Sequence, residues 1–449
     1  MKNRISILGL SIILLTVFIG CKKTYTTNNQ NNIEYQGPVT DSGVVVTNVI
    51  TSYVKFSTMQ TFQSGTKMKI RLNRNGFEVR EYNATFLSAT TDGGEQLIYC
   101  SIPGIVIGSG DSGSPLLTAD GKIAGALCYG WDGDNHQFAA RAIEDLLSIS
   151  SQVKSGLVSQ SSLKAGMYSL APAYQSKGLS AEFINRYASR DPYNILSRYA
   201  ATANTTNVAN TSLGNTLKSG SSINFIPGMS ASVLEINGDL ILTYSTGTLS
   251  YIDNNNNMYA FGHHYNETYP PLAAPVVIAD TKLFIESNTS SFKFSDLTNY
   301  FVGSLTIDNY YGVLFQKSVN NKTFTSRVAL KFYTNDSIVY NHTIANNSNI
   351  GYEYGLASYV PSYAIYFNRN LLQGKYVNVS GKIVTKSGIL TSTDNISFNT
   401  LSSTVDLDLN DVLTDKFSKY NRNIDSQIIS LSLTTATYAD SVLVPITKK

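Results

Sequence analysis

Histidine is scarce: the 449 residues hold four, His136, His263, His264 and His342, and none precedes position 136. Charge is thin as well, at 14% of residues and a net of +3, which excludes the strongly basic face that nucleic acid requires. Tryptophan occurs once and cysteine three times. Beyond the N-terminus no apolar run approaches the length of a membrane span. There is no internal repeat of fixed period, no glycine-rich phosphate loop and no dinucleotide fingerprint, so no nucleotide cofactor is expected. No metal is expected either, because the adjacent His263 and His264, with Asp280 or Glu267 nearby, lack a third ligand at a suitable spacing. What the chain has in abundance is Tyr, Thr, Ser and Asn, the composition of strands joined by polar loops.

The N-terminus bears on compartment. Lys2 and Arg4 precede an apolar run from Ile5 to Ile19, followed by Gly20 and Cys21. This pattern predicts an export signal over 1–20 and lipidation at Cys21, placing a membrane-anchored lipoprotein on a periplasmic or outer-surface face of the cell envelope. Residues 21–43, rich in Thr, Asn and Lys, read as a flexible tether. The other two cysteines, Cys100 and Cys128, either pair as a disulfide or remain as buried thiols.

Short strand-like runs separated by Gly, Asp, Asn or Ser fill 44–158, with a helical pattern from Arg141 to Ile149 closing this first unit. A connector follows over 159–222, helical in its spacing from Ser180 to Ala203 and broken at Asp191 and Pro192. Strands resume over 223–307, and the alternating pattern of 308–449 suggests an appended β-sandwich. The fold class is mainly β.

Chemistry concentrates in GSGDSGSPLLTADGKIAGALCYGW, which starts at Gly108. Ser112 stands on a glycine-rich turn that exposes Oγ and converges the amides of Gly110 and Asp111 into an oxyanion hole, each such donor typically worth roughly 2.7–4 kcal/mol. G-D-S-G-[GS]-P is the nucleophile signature of serine peptidases with a double β-barrel. Ser114 occupies the place where an α/β-hydrolase elbow needs glycine. With no histidine ahead of Ser112, the order His, Asp, Ser is excluded and the base must return from downstream. His136 lies in a polar loop and His342 among Asn-rich turns. His263 follows two strands and a glycine, where the chain can bend to present an imidazole, and in an extended chain His264 points the other way. Pro227, Gly228, Met229 and Ser230 mimic part of the nucleophile motif without its second glycine, and Ser230 reads as structural.

Taken together, GDSGSPLLTADGKIAGALCYGW, IPGMSASVLEINGDLILTYSTGTLSYID, AFGHHY, ADTKLFIESNTSSFKFSD and VGSLTIDNYYGVL resemble the SpoIVB-type serine peptidases, in the longer form whose serine segment precedes the histidine segment. The resemblance runs from Val44 to Val328. It implies a trypsin-like double β-barrel core, here with the short helical connector and the C-terminal sandwich, Ser112 as nucleophile and His263 as general base. The activity implied is that of a lipid-anchored envelope endopeptidase acting on a protein or peptide, with membrane contact through the lipid on Cys21. Two departures stand out: Asp111 replaces the family's Met, and His264 replaces its Pro. Asp111 must find a partner other than a freed N-terminal amine. Where the family carries an acid upstream of the serine, Glu95 is the nearest carboxylate, with Asp92 beside it, and Asp239 and Asp253 are alternatives near His263. The second reading keeps the fold without the chemistry, as an inactive envelope lipoprotein that binds protein or glycan.

Overall fold

The computed structural model describes residues 43–92, 94–151, 166–190, 196–200, 202–203, 218–219, 223–238, 241–265, 274–286, 291–316, 326–334, 337–346, 359, 361–363, 365–366, 376–387, 390–420 and 426–438. The expected signal at 1–20, Cys21, the tether before Gly43 and Asp239 lie outside the described residues.

The first sheet contains β1 (Val44–Val46), β2 (Lys67–Asn75), β3 (Glu78–Asp92), β4 (Glu95–Ser101), β5 (Pro115–Thr118), β6 (Ile123–Trp131), β7 (Gln137–Ala142) and β8 (Met167–Ser169). Six of these close into a barrel in the order β2, β3, β4, β7, β6, β5, because β5 pairs back onto β2. After β9 (Ala173–Lys177) and β10 (Lys218–Ser219) come β11 (Ser230–Gly238), β12 (Leu242–Ile252), β13 (Asn257–Ala260), β14 (Ala274–Ile285), β15 (Phe292–Asn309) and β16 (Gly312–Gln316). These six close likewise, as β11, β12, β13, β16, β15, β14 and back to β11. The two rings share one topology: in each, the first strand pairs with the second and the fourth, and the third with the second and the sixth. The double barrel expected of the core is therefore present, built from two dissimilar sequences.

Alternation drives each ring. In KMKIRLNRN of β2, Met68, Ile70 and Leu72 point inward and are no more than 1% exposed. They meet Phe86, Leu127 and Phe138 inside the first barrel. The second barrel encloses Val233, Leu249, Phe261, Val276, Leu305 and Phe315. Register shifts in the β3–β4, β6–β7, β11–β12, β12–β13 and β15–β16 pairings bend the strands around their axes. β6 and β12 depart from alternation and are buried along nearly their whole length, because each lies between its own core and neighbouring elements. The helices α1 (Phe56–Met59) and α2 (Ile143–Ser148) flank the first barrel. Ile143 and Leu146 of α2 pack against Tyr251, Tyr259 and Leu314, binding the barrels into one unit.

β15 continues through position 308 and β16 ends at Gln316, so the histidine-bearing barrel extends past the boundary suggested by alternation alone. The strands beyond it, β17 (Ser326–Thr334), β18 (Ser337–Asn346), β19 (Tyr376–Ser387), β20 (Leu390–Leu401) and β21 (Ser426–Tyr438), run in the order β18, β17, β21, β19, β20 and join the barrel where β18 pairs with β11. Among the described residues the layer over this extension is helical. It comprises α3 (Ala181–Tyr187) from the connector, N-capped by Ser180, and α4 (Val405–Tyr420). Phe183, Tyr187, Tyr363, Val379 and Leu409 share one apolar cluster there. No helix among the described residues is long and apolar enough to cross a membrane.

Candidate active site

Ser112 and His263 occupy equivalent places in the two barrels. Each lies in the loop between the third and fourth strand of its ring, β4 to β5 for the serine and β13 to β14 for the histidine. The loops touch. Gly113 N donates to Leu127 O (2.7 Å), Thr248 N donates to Ser112 O (2.9 Å) and Phe261 N donates to Thr248 O (3.1 Å), so β12 of the second barrel threads between them. Thr248 Oγ1 also donates to Gly110 O at 2.9 Å and Ser250 Oγ to Gly113 O at 2.7 Å.

Glycine is required here for two reasons at once. Gly110 and Gly113 have φ of +89° and +91°. A Cβ on Gly113 would lie 2.1 Å from Thr248 O and 2.5 Å from Phe261 N, both backbone atoms that cannot yield. On the histidine side the left-handed positions are Phe261 (φ 68°) and Gly262 (φ 65°). A bulky residue at such a φ costs on the order of 1–3 kcal/mol. The Phe261 ring is fully buried against Gly247, and this packing holds the strained turn in place.

The hydroxyl of Ser112 and the Nε2 of His263 are dry and unpartnered. Ser112 is 0% exposed and His263 4%. Neither Ser112 Oγ nor His263 Nε2 has a hydrogen-bond partner, so the two do not bond to each other in this conformation. The imidazole Nδ1 lies 2.6 Å from His264 O. A carbonyl can only accept, so the proton sits on Nδ1 and Nε2 presents its lone pair, the tautomer a general base needs. Burial, with a smaller contribution from His264, lowers the imidazole to about 3 and keeps it neutral.

The two amides expected to form an oxyanion hole are committed. Gly110 N donates to Ala171 O and Asp111 N to Gly108 O, each at 3.1 Å, because the turn that presents Ser112 closes on itself. Asp111, fully buried, has found its partners in Lys293 of β15 (3.5 Å) and Arg74 of β2 (3.0 Å).

Glu95 lies elsewhere than behind the imidazole. Its carboxylate accepts from Arg141 (2.6 Å), from Tyr129 (2.9 Å) and from Tyr310, and a buried guanidinium demands such a counter-charge. Arg141 in turn donates to Gly262 O at 2.6 Å and Tyr310 O at 2.8 Å. Glu95 thus reaches His263 indirectly, through Arg141 and the Gly262 carbonyl that precedes the histidine and through Tyr310, whose ring stacks on His264. Asp92 accepts from Tyr99, and Asp253 caps its own turn through Asn255 N and Asn257 N at 2.8 Å. Asp308 of β15, unmarked in the sequence, is a carboxylate that binds the histidine loop. Its Oδ1 accepts from Tyr265 N at 2.7 Å, and it lies near the end of the fifth strand, a place hidden when 308 is taken to begin another domain.

The remaining positions resolve simply. Cys100 and Cys128 are free thiols on β4 and β6, with β7 between those strands and their side chains in different clusters, so the disulfide does not form. Burial pushes the Cys128 thiol up to about 12. His136 is exposed, with Nδ1 2.9 Å from Ile105 O. Ser230 is buried and donates to Asn73 Oδ1 at 2.8 Å, as a structural residue would. Among the described residues no group of three His, Cys, Asp or Glu side chains is placed to hold a metal.

No family model matches the sequence, and no curated protein does. Among solved structures the chain is similar to the streptococcal pyrogenic exotoxin J at 12% identity, over 47% of this chain and 90% of that one. The TM-score is 0.16, too low to carry an argument about fold or function.

Proposed function

We propose that this protein is an envelope serine endopeptidase of the SpoIVB type, lipid-anchored at Cys21, with Ser112 as nucleophile and His263 as base. The observation that carries the reading is the complementary pair of unmet groups, a serine hydroxyl and an imidazole lone pair, on matching loops that touch at the seam of two matching barrels. A buried donor or acceptor left unpaired costs on the order of 1–3 kcal/mol, so keeping two such groups argues for a task beyond packing.

In the reaction His263 Nε2 takes the Ser112 proton while Oγ bonds to the scissile carbonyl carbon. The imidazolium then gives the proton to the leaving amine as the C–N bond breaks, and water releases the acyl group by the same path reversed. The His264 carbonyl orients the ring in place of a carboxylate, which fixes the tautomer but stabilises the imidazolium less, so a modest rate is expected. Gly110 N must exchange Ala171 O for the substrate oxygen before acylation, so the conformation described is a closed one.

The committed amides and, among the described residues, the absence of a carboxylate on either ring nitrogen favour a second reading, a non-catalytic envelope lipoprotein that binds protein or glycan. A fluorophosphonate probe on the soluble form from Lys22 onward, beside Ser112→Ala and His263→Ala, separates the two. Labelling that vanishes in both variants supports the peptidase, and a folded wild type that never labels supports the binding protein.

A further inference from the structure

The side chain next to the nucleophile is tied across the seam. Asp111 Oδ2 meets Arg74 at 3.0 Å and accepts from Gly108 N at 3.2 Å. Asp111 Oδ1 has no hydrogen-bond partner and faces the Lys293 ammonium at 3.5 Å. Lys293 is itself 0% exposed, donating to Ser230 Oγ (3.0 Å) and Thr248 Oγ1 (3.3 Å), the latter residue being the one that clamps both loops. Its backbone takes part too. Lys293 N donates to Ser109 O and Ser109 N to Ser291 O, both at 2.9 Å, so the serine loop adds as a parallel bridge to the start of β15. A Cβ on Gly110 would sit 2.9 Å from Lys293 Cβ. Arg74, whose guanidinium stacks 3.7 Å over the Phe284 ring and donates to Val106 O, approaches from the first barrel. Among the described residues the charged groups at this point are therefore one carboxylate and two cations.

We propose that Lys293 is a positioning residue for Ser112, an internal cation that locks the nucleophile loop through Asp111 and loosens it on losing its proton. This rests on Ser112 being the nucleophile only for its catalytic consequence; the lock itself is a property of the loop. The pair joins one barrel to the other, so no newly freed N-terminus is needed to neutralise Asp111. Burial lowers the Lys293 ammonium to about 8 against the opposing pull of Asp111, with Arg74 adding to the decrease. The site then titrates within an accessible pH range. A lysine whose folded pKa is lowered costs stability at neutral pH, and that cost shrinks as pH rises from about 8 to 10.5. Unlocking should thus leave the barrels as stable as before, which separates it from alkaline unfolding.

Amide hydrogen exchange of the wild type at pH 7 and pH 9.5, corrected for intrinsic rates, reads the lock without requiring activity. Protection over 108–114 should fall by about tenfold in all between pH 7 and pH 9.5, levelling off above 8 as Lys293 loses its proton, while that of β6 is kept. Unchanged protection over 108–114, or an equal fall in β6, overturns the proposal. Lys293→Met should show the loosened loop already at pH 7, and Lys293→Arg, which keeps its charge, should restore the lock and remove the alkaline fall. A Lys293→Arg variant that folds yet falls as the wild type does also overturns it. Fluorophosphonate labelling run in parallel should follow loop protection. If protection falls as expected and nothing labels at any pH, the peptidase reading fails and the lock on Asp111 stands.

Discussion

The two barrels share a ring order and each presents a candidate catalytic side chain from the same loop, yet they hold those loops by opposite means. The serine loop is fixed by two left-handed glycines and a buried ion pair, Asp111 with Lys293 and Arg74. The histidine loop contains a left-handed Phe261 held by apolar packing, and the charged groups that bind it, Arg141 on Gly262 O and Asp308 on Tyr265 N, reach its backbone rather than a charged side chain of the loop. Fixing a loop through charge allows it to respond to protonation. Holding it through packing leaves the imidazole in a dry neutral setting that resists protonation. On the proposed reading, a nucleophile that must be aimed and a base that must stay unprotonated call for these two different supports.

The comparison breaks most severely at Gly113. Gly113→Ala forces a Cβ against two backbone atoms and puts alanine at φ +91°, so a loss of about 4 kcal/mol or more in denaturant unfolding is expected. Stability within about 1 kcal/mol of wild type would mean the loops do not meet as described. Next is the histidine side. Glu95→Gln leaves Arg141 buried without its counter-charge and should cost about 3 kcal/mol, with Ser112 labelling reduced because the Gly262 turn loosens. Adding Arg141→Met should recover part of the stability and none of the labelling. Equal recovery of both would show that Arg141 does not position His263.

That Ser112 and His263 stand on tight turns could be read from the sequence, because each sits beside glycines that a close-packed turn demands, and that demand is local. Their supports could not. Lys293, Arg141 and Thr248 reach the two loops from strands far away in the chain, and none carries a neighbouring signature. Glu95 was marked by proximity to the serine segment, yet a buried Arg141 across the β4–β7 pairing claimed it. The six-strand rings follow from alternation and turn residues, but β6 and β12, buried on both faces, break the pattern at the seam where the site lies. The hairpin from β15 to β16 alternates like any sandwich strand pair. Only its pairing with β13 and β14 assigns it to the barrel, and with it Asp308.

The protonation contrast between the loops has an acid counterpart to the alkaline one. His263 is lowered from 6.5 to about 3 in the folded chain, so the unfolded chain binds a proton that the folded chain refuses. Stability should fall as pH drops from 6.5 towards 3, by about 1.4 kcal/mol per pH unit from this group. His263→Gln should lose that share of the acid limb, seen as a shallower slope in denaturant midpoints. Identical slopes would place the imidazole in water and remove the dry site.

The mildest test separates a turn carboxylate from a catalytic one. Asp253 binds two amides of its own turn, and its Oδ2 accepts from Asn257 Nδ2 at 2.9 Å and Tyr259 Oη at 3.2 Å, with no contact to His263 among the described residues. Asp253→Ala should cost about 1 kcal/mol, the usual worth of such a turn, and leave the rate of Ser112 labelling unchanged. The turn joins β12, which clamps both loops, to β13, which leads into the histidine, so local loosening there has a direct route to the site. A fall in labelling larger than the stability loss accounts for would mean that the histidine loop is held through this hairpin rather than by Arg141 and the Phe261 packing. Unchanged labelling leaves those two contacts as the supports of the base.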